Sequence, residues 1–299
     1  VIDEYIGYIR KRIKIKKEIK VVLDLGNSAC ALTAPLLFKK GGINVKTINS
    51  NIDGTFPGRG PNPTYQNLSE LCENVLKNKA DYGAAYDGDG DRVIFVDNKG
   101  RIAQTEKIGI ILAREILKES KGNVLVNAPC SMIVEEEIEK FSGKVIRVRV
   151  GDVFVCEAIK KYGAVFGMEI SAHFFIPSFY IFDDGVLTSY KLAEILSKKE
   201  KKLSELLDEL PSYPIVEKEY KCSDETKFSI IEDMKAEYLR KGLKVDLIDG
   251  LKVIYDEGWI MVRASNTQPI IRLFAEAKSE VFLQKLLRQF EDELRERIR

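Results

Sequence analysis

Short apolar runs closed by glycine or polar turns alternate with amphipathic stretches through the first two thirds of the chain. Lys20–Gly26 (KVVLDLG) reads as a buried strand ending in a turn. Residues 29–40 read as a helix closed by Gly41-Gly42, and Asn44–Ile48 as the next strand. Strand, helix, strand in this order implies a parallel sheet. A Gly/Pro/Asn-rich loop over 53–63 leads to a helix from Asn67 to Asn78, then to strands at 82–86 and 93–97. Ahead of all this, Ile2, Tyr5, Ile6, Ile9 and Ile13 mark an amphipathic helix.

The pattern then repeats. A helix from Glu106 to Lys118 leads to a strand at 123–129, a helix from Ser131 to Phe141, a strand from Lys144 to Val150, and a helix starting at Gly151-Asp152 and reaching Lys161. Tyr162-Gly163-Ala164-Val165-Phe166 follows and mirrors Tyr82-Gly83-Ala84-Ala85-Tyr86. This is an internal repeat of about 100 residues, the mark of two related domains. Helices are expected over 185–198 and 203–209, ended by Pro211 and Pro214. From about residue 215 the order changes: strand 215–221, helix 227–239, a hairpin of 251–255 and 259–262 about Asp256-Glu257-Gly258, strand 270–275, and a charged terminal helix. The expected fold is α/β: two successive related α/β domains with mixed, mainly parallel sheets (1–101 and 102–213), then a smaller α+β domain (214–299).

Composition narrows the class. A chain of 299 residues is too long for one core. Hydrophobic residues at 45% and charged residues at 31% are ordinary for a globular protein, and 47 basic against 46 acidic residues exert no global pull toward nucleic acid or an anionic membrane. The basic run Arg10–Lys20 lacks interleaved aromatics and reads as a solvated face. No apolar run is long enough to span a bilayer, and Val1-Ile2-Asp3-Glu4 does not open a signal peptide, so a cytoplasmic protein is expected. Five scattered cysteines without a CxxC argue against zinc and against a disulfide framework, and the single His173 excludes most histidine-rich metal sites.

Three loops carry candidate chemistry. Asp87-Gly88-Asp89-Gly90-Asp91-Arg92 sets three carboxylates at alternate positions, with glycines between them, against the apolar run 93–97. That is a hard-oxygen set suited to Mg²⁺, with Arg92 placed to orient a carboxylate or meet a phosphate oxygen. Gly167-Met168-Glu169-Ile170-Ser171-Ala172-His173 alternates a carboxylate, a hydroxyl and an imidazole. These suit sugar hydroxyls, and His173 is a candidate proton carrier or equally a core histidine. Arg263-Ala264-Ser265-Asn266-Thr267 combines a guanidinium, two hydroxyls and an amide, a set that fits a phosphate. Ligands of open α/β sheets sit beyond the carboxyl ends of the strands, so the first two loops occupy equivalent edges that can face one cleft. Metal, polyol and phosphate sites together point to a phosphorylated sugar and to phosphoryl transfer near Mg²⁺.

These loops resemble the α-D-phosphohexomutase family of phosphomannomutase/phosphoglucomutase type, over essentially the whole chain. Residues 87–92 resemble its magnesium loop, 167–173 its sugar loop and Arg-Ala-Ser-Asn-Thr-Gln-Pro at 263–269 its phosphate loop. Val150-Gly151-Asp152 and Asp184-Gly185 also match. The resemblance implies that Asp87, Asp89 and Asp91 hold Mg²⁺ and that Glu169 and Ser171 read the sugar. It implies that Arg263, Ser265, Asn266 and Thr267 hold the non-reacting phosphate of a hexose phosphate. Phosphate then moves between O1 and O6 through a bisphosphate, from a phosphoserine donor. The chain has no Thr-Ala-Ser-His-Asn-Pro-like loop to carry that serine. It is expected to lack the family's first domain, which is either missing or supplied by another chain, and to be inactive alone. A catalytically silent Mg²⁺ and sugar-phosphate module is the alternative. Ser28 and Ser131 follow strands but lack an activating context. Ala172 stands for the usual glycine, Gln268 for glutamate, and Val148 where threonine is common. His173-Phe174-Phe175 and Asp183-Asp184-Gly185 lean toward mannose or glucose over glucosamine.

Overall fold

The computed structural model describes residues 1–298. The chain divides into two compact units: Val1–Val126 with Glu137–Ile146 and Asp152–Leu210, and Asn127–Glu136 with Arg147–Gly151 and everything from Pro211 on.

The first unit opens with α1 (Ile2–Arg12), which buries Ile6 and Ile9. The basic run beyond it is solvent-facing, pinned by buried Ile13 and Ile19. Strands β1 (Lys20–Asp24), β2 (Asn44–Ile48), β3 (Tyr82–Tyr86) and β4 (Val93–Asp97) form a sheet of order β2-β1-β3-β4. β1 pairs in parallel with β2 and β3, and β4 runs antiparallel to β3. The helix expected over 29–40 is two pieces, a 3₁₀ turn at Ala29–Leu32 and α2 (Ala34–Lys40). Pro35 sits in the first turn of α2, where a missing N–H is tolerated, and cannot continue a helix from upstream. Helix α3 (Ser69–Asn78) covers one face through Leu71 and Val75, and α4 (Thr105–Glu119) follows β4.

Strands β5 (Asn123–Asn127), β6 (Lys144–Val148), β7 (Ala164–Met168) and β8 (Phe174–Phe175) give the order β6-β5-β7-β8, the same as in the first sheet, as the repeat implied. β7 runs parallel to β5 and antiparallel to β8. Helix α5 is shorter than expected (Ile133–Glu139), and Tyr162 ends α6 (Asp152–Tyr162) instead of opening the strand. Every residue of α7 (Gly185–Ser197) is buried, because it packs against both sheets. Tyr82 donates to the Ser189 carbonyl at 2.7 Å, and Tyr86 shares a 2.6 Å hydrogen bond with Ser189 Oγ. Its two charged groups neutralise each other, with Lys191 Nζ 2.7 Å from Glu194. The short α8 (Leu203–Asp208) closes the unit.

The second unit is an antiparallel sheet of order β10-β11-β12-β13-β9, built from β9 (Ile215–Lys221), β10 (Val245–Asp246), β11 (Leu251–Tyr255), β12 (Gly258–Ala264) and β13 (Ile270–Ala277). Helices α9 (Lys227–Arg240) and α10 (Glu280–Ile298) bury Met234, Phe290 and Leu294 with Leu251, Ile260 and Leu273. The hairpin turn is tighter than expected: Gly258 pairs with Tyr255, leaving Asp256-Glu257 as the turn. The two-residue β10 carries too little pattern to be read from sequence. Among the described residues no helix is long and apolar enough to cross a membrane.

Candidate active site

The acidic loop joins two adjacent antiparallel strands, so it must reverse within six residues while staying packed on the sheet end. Gly90 makes the reversal with φ +88°, and a Cβ there would lie 2.3 Å from Cys30 Sγ. Asp87 is buried and organises the loop. Its Oδ1 accepts from Gly90 N (3.0 Å) and Arg92 N (3.2 Å), and its Oδ2 accepts from Arg92 Nε (2.7 Å). Arg92 therefore does orient a carboxylate. Asp89 is exposed and Asp91 half-buried.

The loop over 169–173 follows β7 at the equivalent place. Glu169 N donates to the His173 carbonyl (3.0 Å) and Ala172 N to the Glu169 carbonyl (3.1 Å), closing it tightly. Ala172, where the related family usually has glycine, is buried at φ +72°. An alanine held at this φ carries backbone strain that a glycine would not. Ser171 Oγ and His173 Nδ1 are 2.8 Å apart, and buried Glu169 lies 3.4 Å from the same nitrogen. The alternation seen in the sequence thus gathers all three groups.

The two loops meet. Arg92 and His173 form an antiparallel bridge, and Val93 N donates to the Ala172 carbonyl at 3.2 Å. Gly185 N donates to the Gly90 carbonyl at 2.9 Å, and a Cβ on Gly185 would strike the backbone of Gly90 and Arg92. His173 Nε2 stands 3.5 Å from Asp91 Oδ2 and 3.9 Å from Asp183 Oδ2. Burial works against the imidazolium, but Asp91, Glu169 and Asp183 outweigh it and raise the His173 pKa. His173 in turn holds Asp91 below the usual carboxylate range, while burial pushes Asp87 up and lifts Asp183 to about 6.

The acidic loop fits a divalent cation. Oxygens of Asp87, Asp89 and Asp91 lie within 4.8 Å of one another, and Asp91 Oδ1 is buried with no hydrogen-bond partner among the described residues. A hard carboxylate set with an orphaned oxygen is what Mg²⁺ selects.

The third loop belongs to the second unit. Arg263 is buried on β12, its Nε 3.1 Å from Asp249 Oδ2. Ser265 Oγ accepts from Thr267 N (3.4 Å) and Gln268 N (3.2 Å), so part of the loop's N–H capacity is spent on its own turn. Asn266 and Thr267 are exposed. Gln268 Oε1 accepts from Arg272 (3.0 Å). Ser28 is buried as the cap of the 3₁₀ turn, and Ser131 is buried and donates to Glu276, so neither presents a free nucleophile.

Sequence reading missed Asp183 as a neighbour of His173, and it missed Arg59 and Asn62. Arg59 Nε pairs with buried Asp24 at 2.6 Å, its Nη2 donates to the Tyr86 carbonyl, and Arg92 Nη2 donates to Asn62 Oδ1 at 2.7 Å. The signal for these was only a long Gly/Pro/Asn-rich loop, of the kind that is often functional.

Residues 3–100 match the phosphoglucomutase/phosphomannomutase alpha/beta/alpha domain II, residues 104–213 its alpha/beta/alpha domain III, and residues 218–293 its C-terminal domain. The chain belongs to the phosphoglucomutase/phosphomannomutase family. It is 41% identical over 282 residues to a probable phosphoglucosamine mutase of Methanothermobacter thermautotrophicus, covering 93% of this chain and 62% of that protein. It is 39% identical over 285 residues to a phosphoglucomutase/phosphomannomutase of Thermococcus kodakarensis, covering 94% and 62%. A solved family structure from Burkholderia thailandensis superposes with TM-score 0.92 at 30% identity, over 99% of this chain and 64% of that one. The chain thus spans 62% of the length of both relatives. As expected from its motifs, it carries the phosphohexomutase fold.

Proposed function

We propose that this chain supplies the metal, sugar and phosphate subsites of a Mg²⁺-dependent phosphohexomutase, which moves phosphate between O1 and O6 of a hexose phosphate through a bisphosphate intermediate. The observation that carries the reading is the meeting of two loops: His173 lies within ion-pair distance of Asp91, with Ser171 and Glu169 on its other nitrogen. A proton carrier beside a cation site is the arrangement phosphoryl transfer to a sugar hydroxyl requires.

Asp87, Asp89 and Asp91 would hold Mg²⁺, which when bound neutralises charge on the transferring phosphoryl group. Arg92 keeps Asp87 oriented for that task. Glu169 and Ser171 hydrogen-bond sugar hydroxyls, and His173 moves the proton of the attacking or leaving hydroxyl. Arg263, Ser265, Asn266 and Thr267 hold the phosphate that does not react. The phosphoserine donor comes from a domain outside these residues. The sugar is of the mannose/glucose type, on the His173-Phe174-Phe175 and Asp183-Asp184-Gly185 segments.

The test is conversion of glucose 1-phosphate to glucose 6-phosphate by the purified chain, with glucosamine 1-phosphate run in parallel. The chain alone shows no turnover, and adding a phosphoserine domain from a full-length relative restores it. Robust turnover by the chain alone overturns the division of labour proposed here.

A further inference from the structure

Arg92 has two carboxylates within reach. Its Nε is 2.7 Å from Asp87 Oδ2 and 3.6 Å from Asp91 Oδ1, the buried oxygen without a hydrogen-bond partner. Left to itself, a guanidinium on a flexible stem would divide its time between them. Its outer nitrogen Nη2 instead donates to Asn62 Oδ1 at 2.7 Å. Asn62 is exposed but its backbone is fastened. Asn67 Nδ2 donates to the Asn62 and Arg59 carbonyls, both at 2.9 Å, and Asn67 Oδ1 accepts from Thr64 N at 2.7 Å. Arg59 anchors the whole loop through its ion pair with Asp24 and its hydrogen bond to the Tyr86 carbonyl, one residue before Asp87. Phe56 and Pro61 stand over Gly88.

We propose that Asn62 is a positioning residue that holds Arg92 on Asp87 and so leaves Asp91 Oδ1 open to the cation. The 53–63 loop is then a strut for the metal site. This rests on the reading of the acidic loop as a Mg²⁺ site. Removing the strut lets Arg92 fall toward Asp91, so that a cation of the protein competes with the metal for the same oxygen.

The test is Mn²⁺ binding, followed by electron paramagnetic resonance, in the whole chain and in Asn62→Ala, Asn62→Asp, Arg92→Ala and the double variant Asn62→Ala/Arg92→Ala. Asn62→Ala is expected to weaken Mn²⁺ roughly tenfold, the lower range for an outer-shell partner of a metal ligand. Asn62→Asp keeps the acceptor and stays near the parent. In the Arg92→Ala background Asn62→Ala has no further effect, because Asn62 acts through Arg92. Hydrogen exchange without metal gives a second readout: Asn62→Ala speeds exchange at the Gly90 and Arg92 amides, which donate to Asp87. Unchanged Mn²⁺ affinity together with unchanged exchange overturns the proposal, as does an equal effect of Asn62→Ala with and without Arg92. A parent chain that takes up no Mn²⁺ contradicts the metal reading itself, and the exchange comparison then still decides whether Asn62 braces the loop.

Discussion

The two repeats turn the same corner with different materials. After β3 the chain reverses through Gly88 and Gly90 into a five-residue antiparallel strand, and its buried carboxylate, Asp87, is satisfied by two loop N–H groups and Arg92. After β7 it reverses through Ser171-Ala172 into a strand of only two residues, and the positive-φ position is an alanine. The first corner spends glycine on a relaxed backbone, which leaves room for carboxylates to converge. The second accepts backbone strain at Ala172 and, counted from the strand end, presents Ser171 and His173 where the first presents Asp89 and Asp91. One strand-end frame thus carries a cluster of carboxylates in the first repeat and a carboxylate, a hydroxyl and an imidazole in the second.

The largest expected effect comes from reversing those choices. Gly90→Ala puts a methyl against Cys30 Sγ in a left-handed conformation and should cost about 3 kcal/mol, measured by denaturant unfolding. Ala172→Gly should do the opposite and stabilise by about 1 kcal/mol, the strain relieved exceeding the small loss of a buried methyl. If both substitutions destabilise alike, the difference in strain between the corners is wrong.

A smaller effect separates the corners by pH. The folded-state pKa of His173 is raised, so its stabilising contribution is complete below the ordinary histidine range and disappears as pH rises through the folded value. Asp91 has the opposite sign: its lowered pKa stabilises above the ordinary carboxylate range, and that contribution is lost on acidification. Between about pH 6 and about pH 8, across the ordinary histidine pKa, stability should therefore fall slightly in the parent, and His173→Gln should flatten that slope. A slope unchanged in His173→Gln would show that the imidazole is not ion-paired.

Much of this was legible in the sequence because it is periodic or local. Strands at 44–48, 82–86, 93–97 and 215–221 fall where the apolar runs place them, and the matching sheet orders follow from the repeated Tyr-Gly-Ala segment. Glu169, Ser171 and His173 come together because they alternate within one loop. What was hidden depends on partners far apart in the chain. Nothing near Asp183 announces that it faces His173, and Arg59 finds Asp24 across 35 positions. The burial of Arg263 against Asp249 depends likewise on how the hairpin folds back, which an Arg-x-Ser-Asn-Thr spacing does not encode.

The central claim, that the acidic and sugar loops form one site for a hexose phosphate and a divalent cation, is tested most directly by calorimetric titration of the purified chain with glucose 1-phosphate, with and without Mg²⁺. The account predicts one saturable binding event per chain that tightens when Mg²⁺ is present. Binding indifferent to Mg²⁺, or no binding by the folded chain, would contradict it.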